Sequence, residues 1–563
     1  MHRKSSRTKG GRIIRGILWL LLIAVISAGI FIALVRTGRE PEVKDISALN
    51  IKREKYGENT YVAGNSWLRK SESGLWECYI EGDPFERGAV FGILTKELLF
   101  YQESAFVEQI KELVPSEFYL RILKQFISFF NRDLEKNITD EYKYEIYGTS
   151  FACDTFFDFI GTGYERQLNY HAAHDIAHAL SDFNMVGCTS FSIWGSKSAD
   201  SSIITGRNFD FYAGDKFAEN KIVCFVKPDE GYRFMMITWA DMIGVVSGMN
   251  EAGLTITLNA ARSSIPAKAS TPVTLLAREI LQYASSIDEA FEISKKRDLF
   301  VSESMMISSS SDGKTAIIEK SPESYDIVYP DSNQIICSNH FQGSSFVSDE
   351  RNIENISESD SRPRFLRVQE LLSEQEQLDV YSAAAILRNR QGLGNTDIGL
   401  GNPLAVNQLI AHHSVIFKPE SLQVWVSESP YQIGRYIAYD LNKVFGTDIS
   451  SVKNNQEIYS AELIIPADTF LHSMEYENFS RYKILTKELQ QLRVNGESMP
   501  FDFVRKYIST NPCFYLTYVH LGDYYRKSGQ PDLAGDYYNY ALSLEIPQTD
   551  DRENIKALIS KMK

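Results

Sequence analysis

"MVGCTSFSIWGSKSADSSIITGRNFDFY", residues 185–212, decides how this chain is read. A glycine and a cysteine precede two hydroxyl residues, and two strand-like runs, "FSIWG" and "SSIITGRNF", are then separated by a polar turn. Such a hairpin brings Arg207 and Asp210 back alongside the strand that starts at Cys188, and two charges in an otherwise apolar hairpin require partners. A cysteine nucleophile needs a base, a group that fixes the base, and donors for an oxyanion. If the Gly187–Cys188 bond is cut, the freed α-amino group, with an ordinary pKa of about 8, sits on the same residue as the thiol and serves as its base. Arg207 then holds the thiolate and Asp210 orients the amine. Glycine at 187 suits a scissile bond of strained, closely approached geometry. The competing reading makes Cys188 a buried apolar thiol and Asp210 a turn residue.

Downstream, "IVCFVKP", "RFMMITWA" and "GLTITLN" continue the strand pattern, and helical periodicity returns over 272–296. Strands resume at "SMMISSSS", "TAIIEK" and "QIICSN", a helix falls at 363–373, and "HHSVIFKP" and "LQVWVS" read as strands again. This order implies an α+β fold of layered sheets with helices packed outside. Residues 36–65 read as a polar juxtamembrane linker, and 84–184 as mostly helical. From about 456 the chain returns to helix, where "TYVHLGDYYRKSGQPDLAGDYYNYALSLEIPQ" approaches the spacing of one tetratricopeptide unit of about 34 residues. A single unit reads first as a helical hairpin capping the enzyme domain. A protein partner for it is the second reading.

The N-terminus is a separate matter. Arg3, Lys4, Arg7, Lys9, Arg12 and Arg15 precede the apolar, uncharged run Gly16–Val35, about the length that spans a hydrocarbon core of roughly 30 Å. The expectation is a single-pass anchor with a cytoplasmic N-terminus and an extracytoplasmic catalytic domain; a cleaved signal peptide is the alternative. The formal charge of −14 and the lack of a basic, aromatic-interleaved stripe speak against a nucleic-acid partner. Six irregularly spaced cysteines fit neither a disulfide framework nor a metal site, and Cys224 and Cys337 read as core thiols. The adjacent histidines of "AHHS", 411–414, would point opposite ways on a strand, so neither a metal nor another cofactor is expected.

"GCTSF", "GRNFDF", "GMNEAGLTITLN", "CSNHF", "SRPRFLRVQELL" and "HHSVIFKPESLQVWVS", in that order, resemble the acyl-coenzyme A:6-aminopenicillanic acid acyltransferase family of N-terminal nucleophile (Ntn) hydrolases, relatives of the choloylglycine hydrolases. "EGDPFERGAVFG" and "YEIYGTS" resemble that family's helical pro-region, so the likeness covers roughly 78–440. The resemblance implies a four-layer αββα sandwich, with Cys188 as the nucleophile exposed by self-cleavage and Arg207 and Asp210 as its supports. It also implies Asn259 and Asn339 at the oxyanion, and Arg364 as a later active-site arginine, with Arg362 and Arg367 as neighbours that compete for that role. Either asparagine also fits a strand-terminal cap.

The division expected is 1–40 basic segment and anchor, 41–187 linker and pro-region, 188–450 catalytic core and 456–563 helical tail. The function implied is hydrolysis of a small N-acyl amide, or transfer of its acyl group to an amine, through a thioester. An inactive Ntn scaffold serving as an anchored interaction module is the alternative.

Overall fold

The computed structural model describes residues 38–113, 116–179, 187–212, 214–262 and 269–562. The Gly16–Val35 run lies outside them, and among the described residues no helix is long and apolar enough to cross a membrane.

In chain order the strands are β1 (Arg53–Lys55), β2 (Thr60–Ala63), β3 (Ser66–Lys70), β4 (Trp76–Gly82), β5 (Thr189–Ile193), β6 (Ile204–Phe209), β7 (Ile222–Pro228), β8 (Phe234–Thr238) and β9 (Ser247–Asn250). They continue with β10 (Leu254–Ala261), β11 (Ser302–Ser309), β12 (Lys314–Lys320), β13 (Tyr325–Val328), β14 (Gln334–Cys337), β15 (His413–Lys418), β16 (Gln423–Ser427) and β17 (Tyr436–Asp440). An eleven-stranded sheet has the order β1-β2-β3-β4-β7-β8-β9-β10-β11-β12-β13, and a six-stranded sheet the order β14-β5-β6-β15-β16-β17. All pairings are antiparallel except β4 with β7.

The principal helices are α1 (Pro84–Leu113), α2 (Glu117–Phe130), α3 (Asp140–Ser150), α4 (Gly163–Ala179), α5 (Val273–Tyr283), α6 (Ile287–Lys295), α7 (Glu350–Glu358), α8 (Ser361–Ser373) and α9 (Val380–Leu387). Side chains of α1, α3, α5 and α6 bury against one face of the large sheet. Val223, Phe225 and Met249 of its other face meet Val415, Phe417 and Val426 of the small sheet. The outer face of the small sheet, through Phe191, Ile193 and Ile416, packs on α8 and α9. The layers therefore run helix, sheet, sheet, helix, as the motifs imply.

Side-chain alternation fixes this register. Each fully buried Val, Ile, Leu or Phe contributes about 1.5–3 kcal/mol relative to exposure, and a one-residue slip would turn every such side chain to the wrong layer. The Ser190↔Arg207 pairing of β5 with β6 is held in this way.

Two expectations are corrected. Residues 53–63, read within a linker, form β1 and β2 and extend the large sheet. Charged residues on an edge strand hide it from a pattern reading: Glu54 and Lys55 are exposed, while Val62 and Trp67 bury. Second, the helix read at 363–373 starts two residues earlier and ends where expected, as α8 (Ser361–Ser373), and a further helix, α7, precedes it.

The tail carries α10 (Met474–Asn495), α11 (Phe503–Thr510), α12 (Tyr515–Lys527), α13 (Pro531–Leu542) and α14 (Thr549–Met562). Tyr518 meets Tyr540 at 4.3 Å between ring centres and Tyr525 meets Tyr537 at 5.5 Å, so α12 and α13 pack antiparallel. Asn511 bonds both the N–H and the carbonyl of Leu400, at 3.0 and 2.8 Å, and ties the tail to the core. A Cβ on Gly522 would lie 2.6 Å from the Tyr538 ring. Gly522→Leu is expected to cost about 1–3 kcal/mol by overpacking, read as a lowered melting temperature; unchanged melting would count against this contact.

Candidate active site

Cys188 stands one residue before β5 and is buried. Its Sγ accepts from Arg207 Nη2 at 3.5 Å, and its carbonyl accepts from Arg364 Nη1 at 2.7 Å. Burial pushes the thiol up to about 11, with the Arg207 charge the largest opposing influence. In the uncut chain the thiol is therefore neutral near pH 7, and attack needs either a base or a raised pH.

Arg207 reaches the inter-sheet layer because it faces Ser190 across the hairpin. Nη1 donates to Ser247 Oγ at 2.7 Å, Nη2 also donates to the Leu258 carbonyl, and the guanidinium lies 4.2 Å above the Phe209 ring centre. Ser247 Oγ, already accepting from Arg207, gives its own proton to His413 Nε2 at 2.9 Å. His413 then carries its proton on Nδ1 and donates it to His412 Nδ1 at 2.9 Å. Burial holds both imidazoles well below their ordinary value, hence neutral. The two histidines touch rather than diverge because His412 precedes β15, where strand alternation does not yet apply. They act on the site by fixing the side chain that faces Cys188.

Asp210 is fully buried and neither carboxylate oxygen has a hydrogen-bond partner. Its backbone carbonyl accepts from Gly187 N–H at 2.9 Å, which places it at the Gly187–Cys188 junction. Burial pushes its carboxyl up to about 7 against the pull of Arg364 and Arg207. A buried carboxylate without a hydrogen bond is costly, and a cationic donor beside it would offset that cost.

Arg364 links three parts of the site. Besides the Cys188 carbonyl, it donates to Thr189 Oγ1 at 2.8 Å and to Asn339 Oδ1 at 2.7 Å. Arg362 is exposed, and Arg367 bonds Asn389, Glu370 and Asn395 instead. Asn339 Nδ2 donates to the Ala260 carbonyl at 2.8 Å. Asn259 Oδ1 accepts from Ser190 Oγ at 2.7 Å, and its Nδ2 donates to the Cys337 carbonyl at 3.2 Å. Each amide nitrogen keeps a second proton for another acceptor. The six predicted residues thus lie in one connected set around the start of β5.

Gln408, which the sequence did not single out, belongs to it. Its Nε2 donates to the Gly187 carbonyl at 3.0 Å. A Cβ on Gly187 would sit 2.6 Å from that same nitrogen. The lack of a side chain at Gly187 is what permits this close approach. The six cysteines are all unpaired, with Cys224 and Cys337 buried in strands.

Two facing sheets between helical layers, with a cysteine at the head of an inner hairpin, are the arrangement to be set beside known proteins. Residues 196–397 match the model of the acyl-coenzyme A:6-aminopenicillanic acid acyl-transferase family; that stretch includes Arg207, Asp210, Asn259, Asn339 and Arg364 and starts past Cys188. An uncharacterized protein of Archaeoglobus fulgidus is 25% identical over 246 residues, 40% of this chain and 39% of that protein. The chain thus spans about two fifths of that relative's length. Among solved structures, the Caenorhabditis elegans ortholog of N-acylethanolamine-hydrolyzing acid amidase is similar at a TM-score of 0.30 and 17% identity, covering 41% of this chain and 93% of its own. The conjugated bile acid hydrolase of Clostridium perfringens is similar at 0.32 and 15%, covering 46% and 93%.

Proposed function

We propose that the chain cuts itself between Gly187 and Cys188 and is then a cysteine amidohydrolase, or acyltransferase, acting on a small N-acyl amide. The observation that carries this reading is the junction itself: a thiol under an arginine, a carbonyl held by Gln408, and a buried carboxylate with no hydrogen-bond partner. Sγ of Cys188 attacks the Gly187 carbonyl carbon; the C–N bond then breaks, its nitrogen takes a proton, and a thioester with a free α-amine results. Water hydrolyses the thioester to the Gly187 carboxylate and the thiol. The amine next to Asp210 now takes the thiol proton, and the thiolate attacks the acyl carbon of the substrate. The second protons of Asn259 and Asn339 serve the oxyanion. The amine of the substrate leaves protonated, and water, or a second amine, collects the acyl group.

An electrophilic acyl probe should label Cys188 of the cut protein and no other site; absence of labelling would favour an inactive scaffold. Partitioning between water and added amine separates hydrolase from transferase. A panel of N-acyl amino acids, bile-salt conjugates, penicillins and acyl-homoserine lactones gives the acyl preference.

The unpaired Asp210 makes a pH-dependent prediction. In an uncut chain held by Cys188→Ala, its folded value of about 7 lies above the ordinary 3.8. Ionisation then costs stability progressively between those values and fully above pH 7, whereas below 3.8 the cost vanishes. Asp210→Asn on that background should raise the melting temperature at pH 8 and lose the gain by pH 4. In the cut protein, where an ammonium faces the carboxylate, the same substitution should lower both stability and turnover. A gain of the same size at both pH values would overturn the unpaired state.

The Gly16–Val35 run is proposed as a retained anchor that places the catalytic domain outside the cytoplasm, on the basic residues before it. Protease added to intact spheroplasts should digest the domain. The tail is proposed as a cap with tetratricopeptide-like spacing, and any protein partner would be met there.

A further inference from the structure

α2 carries an apolar stripe on its outer face. Phe118, Ile122 and Phe126, spaced one helical turn apart, are 67, 50 and 52% exposed, with Tyr119 beside them at 62%. The inner face of the same helix buries Phe130 against Phe300, at 5.7 Å between ring centres. A surface helix ordinarily turns polar side chains outward, and one that is apolar on both faces has a second apolar surface to meet. The stripe continues into the loop before α4, where Phe156 and Phe159 are 68 and 57% exposed. Lys124 of α2 ties that loop down by donating to the Phe159 carbonyl at 2.8 Å, and Lys111 Nζ lies 5.8 Å from the Phe159 ring centre. Scattered exposed apolar residues are ordinary; a contiguous aromatic patch with cations among its rings is not.

The position of Gly38 says what covers it. A Cβ there would lie 2.5 Å from Leu168 Cδ1 and 3.5 Å from both Tyr164 Cε1 and Glu135 Oε2, and Arg39 N–H donates to Glu135 Oε2 at 2.6 Å. Tyr164 and Leu168 occupy the first turns of α4, directly after the Phe156 and Phe159 loop, and Glu135 follows the end of α2. Gly38 is thus held against the start of α4, which follows the Phe156 and Phe159 loop, and beside Glu135, which follows α2. Only Arg36 and Thr37 separate it from the apolar run Gly16–Val35, a reach of at most about 11 Å.

We propose that α2 and the loop before α4 rest in the interfacial layer of the bilayer that Gly16–Val35 spans, so that the partner of this face is a lipid surface. The inference rests on the reading of that run as a retained anchor. Aromatic rings with neighbouring Lys or Arg are the side chains that suit the depth of lipid headgroups. The anchor brings the domain to the membrane, and the patch sets which face it turns there.

The test is made on the full chain in phosphatidylcholine nanodiscs, with nitroxide labels on Ile122→Cys or Phe126→Cys, read against the label background of the parent chain. Leu22→Cys in the apolar run and Val494→Cys, exposed on the tail helix α10, are the references. Positions 22, 122 and 126 are expected to show a several-fold higher ratio of oxygen to aqueous nickel-chelate collisions than position 494. If 122 and 126 match 494 while 22 stays lipid-exposed, the membrane face is wrong and the anchor stands. If 22 is also aqueous, the anchor reading falls and the proposal with it.

Discussion

Cys188→Ala should leave the chain as one band of 64.0 kDa on a denaturing gel, where the wild type gives two fragments, residues 1–187 and 188–563, from a single native species. The fragments stay together because the core joins both: α1 and α3, before the cut, bury with β10 and α5, after it. The substitution removes the thiol that attacks the Gly187 carbonyl, so amidase activity should vanish with the cut. Cys188→Ser keeps a group able to make the analogous shift, but a hydroxyl is a weaker nucleophile than a thiolate. Slow cutting by the serine variant is therefore expected. The thiol pushed up to about 11 adds a condition: without a base, cutting should accelerate with pH across the neutral range as the thiolate fraction grows about tenfold per unit. Wild-type protein that turns over amides as one full-length chain would refute the amine as base. Cutting of Cys188→Ala after Gly187 would assign the cut to a separate protease.

How far the site was legible in the sequence depends on how far apart its parts lie. Cys188, Arg207 and Asp210 sit on one hairpin, so a turn and two strand-like runs suffice to bring them together. Arg364 was one of three neighbouring arginines. Arg362 and Arg364, two apart on a helix, face different ways, while Arg367, three further on, shares the buried side with Arg364; only the tertiary packing shows that Arg364 is the one that meets the Cys188 carbonyl. Gln408 and His413 reach the site from more than 200 residues away, and no local period announces such a contact. The first strands were hidden for a different reason. Arg69 and Glu77, which polarity assigns to the surface, form a buried pair at 2.7 Å inside the sheet, and the charge of that stretch masks its β character. Burial pushes Glu77 up to about 7 even with Arg69 beside it, so the pair costs the fold desolvation that a sequence pattern does not display.

Gln408 carries the second large effect. When Sγ adds to the Gly187 carbonyl carbon, the carbonyl oxygen becomes an oxyanion. Gln408 Nε2 already donates to that oxygen at 3.0 Å, from a fully packed position. Because the oxygen gains charge as the bond forms, the hydrogen bond strengthens toward the transition state, and removing one such donor costs about 10²–10³ in rate. Gln408→Leu should slow conversion to two fragments by that factor in a time course after cell-free synthesis. Gln408→Glu should slow it at least as much, since it sets a carboxylate against the forming charge. Gly187→Ala tests the same contact from the other side, because its Cβ would sit 2.6 Å from Nε2 and push the amide away; an intermediate slowing is expected. Melting of Cys188→Ala with and without Gln408→Leu separates a rate effect from a folding defect. After the cut, the Gly187 oxygen belongs to a carboxylate that takes no part in turnover. Amidase activity per cut molecule should therefore fall far less than the cutting rate. Equal losses in both would place Gln408 in the substrate site, whereas cutting at the wild-type rate by Gln408→Leu would remove it from the chemistry altogether.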